Sequence, residues 1–148
     1  MGNRRKHLLG ALKALRGCQV ISSSRLYETS PVGPSIRPYL NLAVKISTTR
    51  SPIGLLVELK RLEALAGRKP GPRWGPRPLD IDIIAFGNLR LRTPWLIVPH
   101  PRVSERAFAL APLSEIAPNW RPTGHDTVGA LLKRLNPAPG TVKIFSDA

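Results

Sequence analysis

Acidic residues are scarce in this chain: Asp and Glu number 9 against 23 Lys and Arg, for a net charge of +14 over 148 residues. Such a surplus attracts polyanions, and nucleic acid, nucleotides and acidic membranes all qualify. Aromatic residues make up only 5% of the chain, which argues against a base-stacking platform. A single cysteine, Cys18, excludes an internal disulfide and fits a reducing compartment. No apolar run approaches the length of a membrane span. The basic start Asn3-Arg4-Arg5-Lys6 leads into Leu8 and Leu9 but not into a long apolar stretch, so no secretory signal is expected and the expected location is the cytoplasm. Two phosphate-binding motifs are also missing, Gly-x-x-x-x-Gly-Lys-Ser/Thr and Gly-x-Gly-x-x-Gly, so a bound nucleotide must be held by another scheme. His7 and His125 show no metal-ligand spacing, which excludes a His/Cys metal site, and Cys18 has no nucleophile motif around it.

What is present is enough for one domain over 1–148. Hydrophobic residues account for 42% of the chain, which excludes disorder throughout. Leu8, Leu12 and Leu15 predict a helix over 4–16 that stops at Gly17. Val20 and Ile21 predict a strand over 19–28, followed by a loop at Pro31, Gly33, Pro34 and Pro38. Residues 39–48 alternate, with Leu40, Leu42, Val44 and Ile46 on one face and Tyr39, Asn41, Ala43 and Lys45 on the other. Ser51-Pro52 supplies a cap and a first-turn proline for a helix to about 66, buried along Leu55, Leu59 and Leu62. A strand is predicted over 79–86, with Leu89 to Arg92 pairing back on it. Two short helical pieces interrupted near Pro112 are predicted over 102–116, a helix over 126–135, and a last strand from Val142 to Phe145. That order gives an α+β fold with a mainly antiparallel sheet and helices on one face. It equals the ferredoxin-like split βαβ arrangement without its opening strand.

Asp80 and Asp82 carry the clearest chemistry. Two positions apart on a strand, they share one face, while Leu79, Ile81 and Ile83 take the other. Paired carboxylates directed away from a core suit a hard cation such as Mg²⁺; the alternative is that they face water or pair with nearby arginines. Just ahead lies Arg68-Lys69-Pro70-Gly71-Pro72-Arg73-Trp74-Gly75-Pro76-Arg77, rich in guanidinium groups that grip phosphate oxygens in pairs. The alternative there is a solvated basic loop with Trp74 packed beneath it. Tyr39 and Asn41 occupy the polar face of their strand, where an Asn can offer donor and acceptor to a heterocycle or simply meet water. Trp74 and Phe108 could sandwich a flat ring or pack in the core. His100, close before Arg102 and Arg106, could donate to phosphate or serve only its proline-rich turn.

At Arg73-Trp74-Gly75-Pro76-Arg77-Pro78-Leu79-Asp80-Ile81-Asp82-Ile83-Ile84 the sequence resembles the signature of the 6-hydroxymethyl-7,8-dihydropterin pyrophosphokinase family. The resemblance runs over almost the whole chain, through Tyr27-Glu28-Thr29-Ser30-Pro31-Val32-Gly33, Tyr39-Leu40-Asn41, Glu63, Gly67-Arg68, Val98-Pro99-His100 and Arg106-Ala107-Phe108. It implies transfer of pyrophosphate from ATP to the pterin hydroxymethyl group with release of AMP, aided by two Mg²⁺ ions. It also implies site residues. Asp80 and Asp82 would hold the metals, with Arg73 and Arg77 beside them in catalysis. Arg68, Glu63, Lys60, Ile83, His100 and Arg106 would bind ATP. Thr29, Ser30, Val32, Tyr39, Asn41, Trp74 and Phe108 would line the pterin pocket. The partners implied are these two small molecules, without nucleic acid or membrane, and with a monomeric chain.

The family opens with an apolar strand ending in Gly-Ser-Asn, whereas Met1-Gly2-Asn3-Arg4-Arg5 resembles the start of the following helix. The first strand is therefore expected to be absent, leaving a central gap between the strands of Asn41 and Asp80. Three accounts stand: a start upstream of Met1, a truncated inactive relative that binds nucleotide, or filling of the gap by residues 142–145 or a partner chain. A basic nucleic-acid-binding module is the rival function; the carboxylates of Asp80 and Asp82 oppose it.

Overall fold

The computed structural model describes residues 4–29, 39–67, 79–137 and 142–144. Helix α1 (Arg4–Leu12) ends earlier than its leucine spacing predicts. The chain tightens into i−3 bonds, Ala14 N–H to Ala11 O and Leu15 N–H to Leu12 O. Gly17 then takes a positive φ of 71°. The Arg16 N–H, which a longer helix would use, instead donates to Glu58 Oε2 at 2.8 Å. Leu15 still reaches the core, 5% exposed.

The two long strands expected at 19–28 and 39–48 are each split, and they split at the same level. Strand β1 (Cys18–Ser23) runs antiparallel to β4 (Val44–Thr48), with Cys18 opposite Thr48 and Ser23 opposite Val44. A register shift lies between Val20 and Ser22. Strand β2 (Tyr27–Thr29) pairs antiparallel with β3 (Tyr39–Asn41), placing Tyr27 opposite Asn41 and Thr29 opposite Tyr39. Between the two ladders sits Ser24, with no accessible surface. Its N–H donates to Ala43 O, its hydroxyl accepts from Ala43 N–H at 2.9 Å, and the same hydroxyl donates to Arg25 O at 2.7 Å. A side chain that satisfies the backbone across the break lets the ribbon bend without orphaned groups.

Ser51 caps helix α2 (Pro52–Gly67) as expected, its hydroxyl accepting from Gly54 N–H at 3.0 Å. Leu55, Leu59 and Leu62 are buried, each such side chain contributing about 1.5–3 kcal/mol by leaving water. They join Leu15, Ile83, Leu96 and Val98 in one core cluster, against which Ile46, Leu79 and Ile81 also pack.

Residues 79–86 differ from expectation. Burial alternates through Leu79, Asp80, Ile81, Asp82 and Ile83 as a strand's does, yet among the described residues this segment joins no β-ladder. Nor does the chain pair back on it: β5 (Leu91–Arg92) pairs with β6 (Ile97–Val98), Leu91 opposite Val98. The Thr93 hydroxyl closes that hairpin, accepting from Leu96 N–H and donating to Leu96 O.

A 3-10 turn (Val103–Glu105) precedes α3 (Ala107–Ile116). The predicted interruption at Pro112 is absent; the helix runs through it, and the break falls at Arg106, which is extended. Pro112 removes the N–H that would bond the Phe108 carbonyl, while its own ring is fully buried. Helix α4 (Val128–Leu135) begins on Thr127, whose side chain accepts from Ala130 N–H, and ends on Asn136 in the left-handed conformation. With Val103 these two helices build a second core around Leu110, Leu113, Val128 and Leu131. Strand β7 (Val142–Ile144) pairs with β2 and not with residues 79–86. The described residues thus form an α+β arrangement with antiparallel pairing only, divided among three small sheets instead of one.

Candidate functional site

Asp80 and Asp82 are both exposed, while Ile81 between them packs against the core. Glu63 on α2 fixes the backbone there: its Oε2 accepts the Ile81 N–H at 2.6 Å. Its other oxygen takes Lys60 Nζ at 3.2 Å. The Glu63 side chain is only 12% exposed, so this carboxylate reaches inward while Lys60 stays in solvent. Glu63 and Lys60, both expected at the ATP site, are engaged with each other, and Glu63 with the segment bearing the aspartates.

Further along, the His100 N–H donates to Ile84 O at 2.8 Å, tying the Val98–Pro101 turn to the same segment. His100 Nδ1 accepts from Arg102 N–H at 3.2 Å, which leaves the proton of the neutral ring on Nε2, available to donate. Burial lowers the His100 pKa; the carboxylate of Asp82 opposes this, and Arg106 and Arg102 add to it. Asp82, His100, Arg102 and Arg106 therefore share one electrostatic neighbourhood. Beside them the open face of the β5–β6 hairpin forms a cavity of about 310 Å³ walled by Arg90, Arg92, Ile97, Pro99 and Pro101.

A second group of predicted residues also comes together. Asn41 Nδ2 donates to Thr29 Oγ1 at 2.8 Å across β2 and β3. Helix α3 packs on both strands, and the Arg106 guanidinium lies 5.7 Å from the centre of the Phe108 ring at that helix's start. The Ile83 side chain lies in the core, 8% exposed, so any contact it offers a nucleotide is through its backbone. Tyr39 is described through its backbone. Ser30, Val32, Arg68, Arg73, Trp74 and Arg77 lie outside the described residues.

Sequence reasoning missed two carboxylate-centred clusters that hold the fold. The Tyr27 hydroxyl donates to Glu115 Oε2, and Arg25 holds the same carboxylate from its backbone N–H and its guanidinium. Burial first, then the bond to Glu115, pushes the Tyr27 pKa up to about 12. Only the fold brings these residues together, and no local pattern announces the contact. Glu58 was legible in principle, because it falls on the buried stripe of α2 with Arg61 three positions on. Arg61, Arg50 and the Arg16 N–H surround it.

Magnesium is the ion the aspartate pair suits. Among the described residues neither carboxylate makes an ion pair, and no group of three or more His, Cys, Asp or Glu residues is arranged to hold a metal. Asp80 and Asp82 could hold such an ion together with ligands from water and phosphate.

The sequence profile of the 7,8-dihydro-6-hydroxymethylpterin-pyrophosphokinase (HPPK) family matches residues 1–118. Relatives agree with it. The chain is 40% identical over 142 residues to a 2-amino-4-hydroxy-6-hydroxymethyldihydropteridine pyrophosphokinase of Methylorubrum extorquens, covering 93% of this chain and 89% of that one. It is 42% identical over 120 residues to the protein of the same name from Bacillus subtilis, 78% of this chain and 72% of that one. It is 44% identical over 119 residues to the mitochondrial folate synthesis bifunctional protein of Arabidopsis thaliana, 78% of this chain but 22% of the larger protein. The chain belongs to the HPPK family. That membership does not favour the rival reading as a nucleic-acid-binding module.

Proposed function

We propose that this chain transfers pyrophosphate from ATP to 6-hydroxymethyl-7,8-dihydropterin in folate synthesis, releasing AMP. The observation that carries the proposal is the placement of Asp80 and Asp82: exposed, without ion-pair partners among the described residues, and on a backbone held by Glu63 beside His100 and Arg106. In this reading the hydroxymethyl oxygen bonds to the β-phosphorus as the bond from that phosphorus to the α-phosphate oxygen breaks; AMP leaves with that oxygen, and the hydroxyl proton passes to water. Asp80 and Asp82 hold two Mg²⁺ ions, whose chemistry is to neutralise the phosphate oxygens and align the transfer. His100 donates from Nε2 to a phosphate oxygen, and Arg106 adds positive charge. Arg68, Arg73 and Arg77 belong to the same phosphate-binding set. The hydrogen-bonded Thr29 and Asn41 meet the edge of the pterin, with Ser30, Val32, Tyr39, Trp74 and Phe108 around the ring. Lys60, Glu63 and Ile83 complete the ATP-binding set, and Glu63 also holds the Ile81 N–H. The proposal includes a single cytoplasmic domain over 1–148 that works as a monomer on small molecules alone, which fractionation and light scattering test.

The decisive assay is AMP formation by the purified chain with ATP, Mg²⁺ and the pterin. Production that requires both metal and pterin upholds the proposal. A folded chain that binds ATP yet releases no AMP in their presence overturns it.

The same proposal extends to the fold. A ferredoxin-like split βαβ sheet places one extended strand between β4 and residues 79–86, and no described residue supplies it. Support comes from the alternating burial of 79–86 without a ladder. An apolar peptide ending in Gly-Ser-Asn, added in trans, is expected to slow amide exchange at residues 80–85. Full protection of those amides without any peptide contradicts the arrangement.

A further inference from the structure

Glu63 is the only described side chain that hydrogen-bonds the backbone between the two aspartates. The bond is charge-assisted and short, 2.6 Å from Oε2 to Ile81 N. Because side chains alternate along an extended chain, the residues on either side of Ile81 point the same way, opposite to the Ile81 side chain. Shifting the peptide at Ile81 therefore moves both carboxylates together. In most sheets a neighbouring strand would hold that peptide. Here, among the described residues, none does, and the polar ties are the Glu63 bond at Ile81 and the His100 N–H at Ile84 O.

We infer that Glu63 is a positioning residue: it sets the aim and spacing of Asp80 and Asp82 toward the metal–phosphate group. The inference rests on the reading that these aspartates hold the metal. Lys60 contributes by occupying the second Glu63 oxygen, which fixes the carboxylate's orientation. Helix α2 in turn fixes Glu63, which follows directly on the buried Leu62 and lies one turn beyond the buried Leu59. A rigid helix thus transmits its position to the cation site through one carboxylate, the kind of outer support whose loss costs metal sites roughly 10–100-fold in affinity or activity.

Two substitutions separate reach from charge. Glu63→Asp keeps the charge but shortens the side chain by one methylene, so it cannot reach the Ile81 N–H without moving the backbone. Glu63→Gln loses the charge but keeps a carbonyl acceptor at the same reach. Three measurements apply to each: thermal melting to confirm folding, Mn²⁺ affinity by electron paramagnetic resonance with a non-hydrolysable ATP analogue, and kcat and KM for AMP release. Glu63→Asp is expected to weaken Mn²⁺ binding and lower kcat by about 10-fold or more, with the pterin KM unchanged and Ile81 amide exchange accelerated. Glu63→Gln, which keeps an acceptor within reach of the Ile81 N–H, is expected to lose less than Glu63→Asp in Mn²⁺ affinity and in protection of the Ile81 amide. The reverse pattern, with Asp tolerated and Gln impaired, overturns the inference in favour of plain electrostatics. Equal retention by both also overturns it. If the unaltered chain binds Mn²⁺ but makes no AMP, the affinity and exchange measurements still decide the role of Glu63. If it binds no Mn²⁺, the metal reading fails and this inference with it.

Discussion

Replacing Ser24 with alanine removes one hydroxyl from the place where the β-ribbon bends. That hydroxyl accepts from Ala43 N–H at 2.9 Å and donates to Arg25 O at 2.7 Å, and Ser24 has no accessible surface. The Ser24 N–H to Ala43 O bond, 2.8 Å long, survives the substitution and keeps the gap closed to water. The Ala43 N–H is then left buried without a partner, at a cost of about 1–3 kcal/mol. Arg25 is exposed, so its carbonyl recovers part of its loss from solvent. The total comes to roughly 2–4 kcal/mol, which for a chain of this size lowers the melting temperature by about 5–15 °C. Urea unfolding followed by circular dichroism measures the loss, and amide exchange at Ala43 locates it. A loss below about 1 kcal/mol with an unchanged denaturant slope would show that the serine does not organise the bend, and the account of the split strands given above would be refuted.

Glu58 is held well below the usual carboxylate range, to about 2, chiefly by hydrogen bonds from Arg61 and then by the Arg16 N–H. The unfolded chain takes up this proton more readily than the folded one, so the stability Glu58 supplies is complete above about pH 4.5 and is lost as pH falls toward 2. Acid titration of Glu58→Gln is expected to show a shallower fall over that window. Tyr27 works in the opposite direction: with its pKa raised to about 12, its contribution is present below pH 10 and is lost as pH climbs from 10 to 12, a loss that Tyr27→Phe should abolish in alkaline melts. His100 is expected to titrate below about 6.5 by NMR, because burial disfavours its charged form. Thr127→Ala removes the α4 cap and should cost about 1 kcal/mol in urea unfolding.

The helices were legible because their signals are local. The stripe Leu55, Leu59, Leu62 and the Ser51-Pro52 start specify α2 without reference to any other part of the chain. Strand pairing was not legible in the same way. Alternation over 79–86 marks a segment with one buried face, but a ladder also needs a neighbour, and the alternation is silent about which neighbour there is. The paired breaks at Ser24 and Ala43 escaped for a related reason. A serine run reads as weak strand, and only its partner 19 residues away shows that one hydroxyl replaces ladder bonds. In the candidate site, Asp80, Asp82, Thr29 and Asn41 were visible as polar members of alternating segments. Glu63 was visible only as a site residue of the resembled family, and its bond to Ile81 belongs to the tertiary packing.

The use of acidic residues in this cationic chain bears on whether Asp80 and Asp82 merely face water. Where Lys and Arg outnumber Asp and Glu so heavily, a carboxylate near any basic side chain tends to be neutralised. Glu28, Glu58, Glu63, Glu115 and Asp126 each hold a cation from Lys143, Arg61 with Arg50, Lys60, Arg25 and Arg134 respectively. Among the described residues Asp80, Asp82 and Glu105 hold none. Glu105 stands alone on a short turn. Asp80 and Asp82 occupy neighbouring positions on one face, an arrangement that a shared divalent cation suits. A surface under selection only for solubility has no need to place two of its few carboxylates side by side, unpaired, on a peptide clamped by a third. The pairing makes sense as a divalent-cation site completed by phosphate, and it predicts that Mg²⁺ with ATP raises the melting temperature of the chain while Asp80→Asn with Asp82→Asn removes that rise. A rise of the same size in the double variant would mean that the nucleotide is held without them.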